Sequence, residues 1–168
     1  MIHTATYNAN NLSFHSISAP DGNIYTKVLL SEISDNIAEP GKPKLPVHTL
    51  KLMIPFGKEV SDITCTNIVT ESFSLNNRIC PVEVCDSIGQ VFAVPDSAIY
   101  NSNNVFPLTP IMNWKQGYFD GNNNIVSIGF CPFEYYPTLG KLNQIISVML
   151  TITCVDGFRG GIQNQTRL

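Results

Sequence analysis

The side chains in this chain that can act as nucleophiles or metal ligands are five cysteines (Cys65, Cys80, Cys85, Cys131, Cys154) and three histidines (His3, His15, His48). A nucleophilic thiol needs a histidine to take its proton and a third group to orient that histidine. The numbers permit such a pair, but no G-x-S-x-G, Q-A-C or C-G-x-C stretch supplies the local geometry of a hydrolase nucleophile. Cys65 and Cys154 fall on the apolar faces of strand-like runs and are expected to act as small hydrophobes. No Cys/His spacing matches a structural zinc site, and no glycine-rich turn opens a helix where phosphate would bind. Carboxylates are scattered, and Asp120, in Tyr118-Phe119-Asp120-Gly121, reads as a turn residue. The expectation is a domain without catalytic residues, metal or cofactor of its own.

Recognition is the other chemistry on offer. Trp114 stands beside Lys115 in a polar stretch, and an aromatic next to a cation on an exposed loop is a good anchor for a protein partner. Trp114, Tyr118, Phe119, Tyr135 and Tyr136 would form a stacking platform for sugar rings if they converged; the competing reading puts such aromatics in a core or at its rim. A net charge of −3 with no Lys/Arg cluster excludes the electrostatic footprint of a nucleic-acid binder. No apolar run approaches the roughly 20 residues needed to cross a bilayer, and the N-terminus lacks the basic and apolar regions of a signal peptide.

The elements that must position these residues are strands. The 168 residues suit one domain, and 43% hydrophobic against 14% charged residues excludes a solvated, disordered chain. Leu12 to Ser18 and Ile24 to Leu30 flank a Pro-Asp-Gly-Asn turn and predict a hairpin. Ser31 to Glu39 is the one plausible helical turn, ended by Pro40 and Gly41. Gly41, Pro43 and Pro46 then impose an extended entry to a strand over Val47 to Ile54, around which the rest of the chain is expected to be arranged. Val60 to Phe73 alternates with a break at Asn67 and Ile68, where a bulge is expected.

Short strands follow at Val82 to Val84 and Val91 to Val94. From Asn101 to Asn124 periodicity fades into Asn, Pro and Gly, which predicts a long functional loop carrying Trp114 and Lys115. Ile125 to Phe130 alternates again, and Ile146 to Cys154 does so most cleanly, with one face buried. No internal repeat is present. The odd cysteine count excludes complete internal pairing; Cys80 and Cys85 are either a bridge or two thiols, and two thiols is the simpler reading. Short strands between turns predict an all-β, antiparallel β-sandwich of jelly-roll type over residues 1–155, with 156–168 as a C-terminal linker.

Two segments carry a family resemblance. Gly41-x-Pro43-x-Leu45-Pro46, running into Leu52-x-Ile54-Pro55-Phe56-Gly57 and Glu59-Val60, resembles the G-x-P-x-L-P and I-P segment of gingipain-type propeptides, the N-terminal prodomains of secreted bacterial cysteine peptidases. Phe106-Pro107, Gly121 to Phe130 and Pro132-Phe133-x-Tyr135-x-Pro137-x-x-Gly140-x-Leu142 resemble that family's closing pattern. The resemblance covers about Ile24 to Cys154. It implies a non-catalytic β-sandwich that helps a caspase-like cysteine peptidase domain, downstream in the same precursor, to fold and keeps it latent. It also implies export, with a signal peptide upstream and the peptidase downstream of this segment.

Because gingipains prefer basic residues, the resemblance implies a Lys or Arg presented to the cleft. Lys115, beside Trp114, fits best; Arg78, in Asn76-Asn77-Arg78, is second. Arg159 and Arg167 in the expected linker would suit processing. The rival expectations are a surface adhesion or carbohydrate-binding sandwich and a structural spacer. The reading frame after Leu168 separates them.

Overall fold

In the computed structural model, which describes residues 1–120 and 123–157, the chain is all-β with antiparallel sheets. Its strands are β1 (Ile2–Thr6), β2 (Leu12–Ser18), β3 (Ile24–Leu30), β4 (His48–Ile54), β5 (Lys58–Ser74), β6 (Val84–Cys85), β7 (Val91–Phe92), β8 (Ile111–Asp120), β9 (Asn123–Phe130), β10 (Phe133–Tyr136) and β11 (Lys141–Asp156). One short helix, α1 (Ser97–Tyr100), is capped by Asp96, whose carboxylate accepts from the Ala98 N–H at 2.9 Å. No helix among the described residues is long and apolar enough to cross a membrane.

The framework is the pairing of β5 with β11, two strands of 17 and 16 residues. Since β5 runs along one edge of β11, the other edge is shared by β10, opposite Lys141 to Gln144, and β1, opposite Ser147 to Thr151. The expected bulge is present: Thr66 pairs with Met149 and Val69 with Ser147, so three steps on β5 face two on β11, and Asn67 takes φ 50°. A second register shift, between Ile145 and Ser147, hands the buried role to Ile145 and leaves Ile146 half-buried. Beyond it Val148, Leu150 and Ile152 point inward, as the alternation predicts.

The second main sheet has the order β4-β9-β8. The strand after the Gly/Pro segment is therefore an outer strand, and β9 is the central one. Val126, Ile128 and Phe130 of β9 are fully buried and join Leu50 and Ile54 of β4, and Val60, Ile63, Leu150 and Ile152 of the other sheet, in one core cluster. At roughly 25 cal/mol per Å² of apolar surface, this shared cluster is the main stabilising term.

The expected helical turn at Ser31 to Glu39 does not form. Ile37 N–H donates to Leu45 O and Val47 N–H to Asp35 O, both at 2.9 Å, so the segment is held extended against 45–47 and Ile37 is buried. Nonlocal pairing outcompetes a weak local propensity. The β2–β3 hairpin is as expected.

The two motif segments prove to be packing devices. Gly41 has φ 78°, and a Cβ there would stand 3.0 Å from Val94 O. Leu45, Phe133, Tyr135 and Leu142 are fully buried, and Phe106 and Tyr135 exchange backbone hydrogen bonds of 2.8 and 2.7 Å.

Candidate functional site

The predicted loop from Asn101 to Asn124 contains strand β8, so Trp114 and Lys115 sit on a strand. Its polar composition misled because β8 is an edge strand, paired among the described residues with β9 alone, and an edge tolerates Asn, Lys, Gln and Gly. Register assigns the faces. Trp114 lies opposite Ile128 and Gln116 opposite Val126, which makes them members of the inner row; Lys115 lies opposite Ser127 and Asn113 opposite Gly129 on the outer face. Trp114 is still 40% exposed. Ser127 in turn faces Lys51 on β4, so the outer face carries a row Lys51–Ser127–Lys115 with both lysines exposed.

The inner row is closed by Gln116. Its Oε1 accepts from the Val60 N–H at 2.8 Å, and its Nε2 donates to Lys58 O at 3.1 Å. Asn124 Nδ2 donates to the same carbonyl at 3.4 Å, and Lys58 Nζ pairs with Asp156 Oδ1 at 2.7 Å. This polar corner joins β8 to the start of β5. Neither Gln116 nor Lys51 was a sequence candidate. Gln116's partners lie 56 and 58 residues away, and no local pattern announces such a contact.

Arg78 is exposed on the segment after β5, and its Nη2 donates to Asn101 Oδ1 at 3.4 Å. It belongs to a different part of the fold from Lys115, so the two basic candidates do not form one site. Arg159 and Arg167 lie outside the described residues. The sugar platform is not assembled: Tyr135 is fully buried with its hydroxyl accepting from the Ile79 N–H at 3.3 Å, and Tyr136 lies on β10, in the other sheet from Trp114. The side chains of Tyr118 and Phe119 lie outside what is described.

The cysteines are free thiols. Burial pushes the Cys131 thiol up to about 12, opposite to what a nucleophile needs, and its Sγ donates to Phe133 O at 3.8 Å. His48 Nδ1 is hydrogen-bonded to the Tyr7 hydroxyl at 3.1 Å. What the arrangement offers is a surface: an edge strand with an outward cation, a half-exposed indole and a polar anchor behind them.

A family model described as Propeptide_C25 matches residues 2–166. The chain belongs to that family, and so is a propeptide segment and not a catalytic domain. No curated protein matches. Among solved structures, the chain is similar to one described as the complex of Porphyromonas gingivalis RgpB pro- and mature domains, at 17% identity and TM-score 0.62, covering 93% of this chain and 80% of that one. It is similar also to a structure of gingipain K from Porphyromonas gingivalis, solved for its zymogenic latency, at 14% identity and TM-score 0.68, covering 90% and 86%. At these identities the likeness is one of fold, and it extends over nearly the whole all-β scaffold.

Proposed function

We propose that the chain is the N-terminal prodomain of a secreted or cell-surface gingipain-like peptidase precursor, which assists folding of a downstream caspase-like cysteine peptidase and keeps it latent, with the outer face of β8 turned to the enzyme's cleft. The observation that carries this reading is the propeptide-family match across residues 2–166. The two solved relatives support it, since one is a complex of pro- and mature domains and the other concerns latency.

Latency needs an interface of standard size, about 800 Å² per partner, with at least one anchor filling a pocket. Lys115 meets the requirements of an anchor for a cleft that favours basic side chains: it is exposed, on an edge strand, and on its outer face. Arg78 is the second candidate. Arg159 and Arg167 are proposed for processing, because cleavage beyond β11 would free the domain without cutting the sheet.

The test is to mix this domain with the mature peptidase domain of its precursor and measure inhibition. A latent complex at micromolar concentration is expected, and no association would sink the reading. Lys115→Ala should raise the inhibition constant at least about tenfold, a loss of roughly 1.4 kcal/mol. An unchanged constant would remove Lys115 from the interface while leaving latency intact.

A further inference from the structure

We infer that Gln116 is a positioning residue for the inhibitory strand: its side-chain amide stands in for a neighbouring strand at the edge of β5 and thereby sets the direction in which Lys115 leaves β8. The inference rests on the reading of β8 as the strand that faces the enzyme.

The geometry is that of a peptide group. A neighbouring strand would meet the outward N–H and carbonyl groups of β5 with an acceptor and a donor of its own. Gln116 offers both from a side chain, accepting from the Val60 N–H at 2.8 Å and donating to Lys58 O at 3.1 Å. These two groups open β5, the 17-residue strand that pairs with β11, so the amide is tied to the main framework of the fold.

The need for such a tie follows from the topology. Among the described residues β8 has a ladder only with β9, and an edge strand held on one side is free to twist. Gly117 follows at once, and a Cβ there would meet nothing within 4 Å, so packing around it adds no restraint. Successive side chains in a strand point to opposite faces. Fixing Gln116 inward therefore fixes Lys115 outward, which lowers the entropy that Lys115 loses when it enters a pocket. An apolar residue at 116 would fill the same inner row, but it would leave the Val60 N–H without this partner and the strand without this restraint.

The experiment measures inhibition of the mature peptidase domain, and thermal unfolding, for Gln116→Leu, Lys115→Ala and the double variant. Gln116→Leu keeps the approximate volume and removes both bonds; it should weaken inhibition about tenfold at a temperature where the domain is fully folded. The double variant should be within about threefold of Lys115→Ala alone, because residues acting as one unit are not additive. Gln116→Met keeps the unbranched shape and removes both bonds, and serves if the leucine variant fails to fold; its loss should be the same, about tenfold.

Wild-type inhibition by a folded Gln116 variant, or additive losses in the double variant, would overturn the positioning role while leaving Lys115 in the interface. If Lys115→Ala itself changes nothing, the enzyme-facing reading of Lys115 fails, and the role of Gln116 falls with it.

Discussion

Gln144 lies directly opposite Phe133 in the β11–β10 register, and both side chains are fully buried. Neither amide atom of Gln144 has a hydrogen-bond partner among the described residues. A buried polar group without a partner costs about 1–3 kcal/mol, so Gln144→Met should stabilise the domain by roughly 1–2 kcal/mol. Urea unfolding checks this; a lower midpoint in the variant would show that the amide contributes a favourable interaction.

The backbone N–H and carbonyl of Ile79 are each held by a tyrosine. Tyr100 donates its hydroxyl to Ile79 O at 2.8 Å, Tyr135 accepts from the Ile79 N–H at 3.3 Å, and their rings meet edge to face at 6.3 Å. Tyr100 and Ile79 are fully buried. Tyr100→Phe should therefore cost about 1–2 kcal/mol, since it leaves a buried carbonyl short of its donor. Equal unfolding midpoints for wild type and variant would refute this.

Asp21 organises the β2–β3 turn. Its carboxylate accepts from Asn23 Nδ2, the Tyr25 hydroxyl and the Asn23 N–H, and these bonds hold its pKa below the usual carboxylate value. A depressed folded pKa means that the contribution is fully present above the unfolded value, near 3.8, and is lost as pH falls through the folded one. Asp21→Asn should remove this part of the acid dependence. Its stability difference from wild type, measured at neutral pH and near pH 3, should shrink on acidification.

Thiol labelling should follow exposure and ionisation. Cys85 is exposed on β6, whereas burial raises Cys65 to about 11 and Cys131 to about 12. The thiolate is the reactive form, so an alkylating reagent at neutral pH should modify Cys85 first and Cys131 only with global unfolding. Peptide mapping over time reads the order directly; early modification of Cys131 would contradict its burial.

The elements most legible in the sequence were those whose signal is local. Leu12 to Leu30 declared a hairpin through its turn residues, Ile125 to Phe130 declared a one-sided strand through its period, and the broken alternation at Asn67 marked a true bulge. The motif prolines and glycines were legible too, although their role is in packing. Where the signal depends on distant partners, the reading failed. Ser31 to Glu39 shows capping residues but forms no helix, because Asp35 and Ile37 bond instead to Val47 and Leu45. The stretch around Trp114 looked like a loop because an edge strand needs apolar residues on only part of one face.

The sequence by itself determined the all-β class and the positions of most strands, since turn chemistry and two-residue periodicity are properties of neighbouring residues; two motif segments added the resemblance to a propeptide family. Only the tertiary structure decided which residues stand around Lys115. It placed Lys115 on an edge strand in a row with Ser127 and Lys51, buried Tyr135 away from Trp114, and set Gln116 against Val60 and Lys58. The physical reason is that sheet pairing joins residues far apart in the chain, and a side-chain amide finds its partners only after the register has brought them within 3 Å or so.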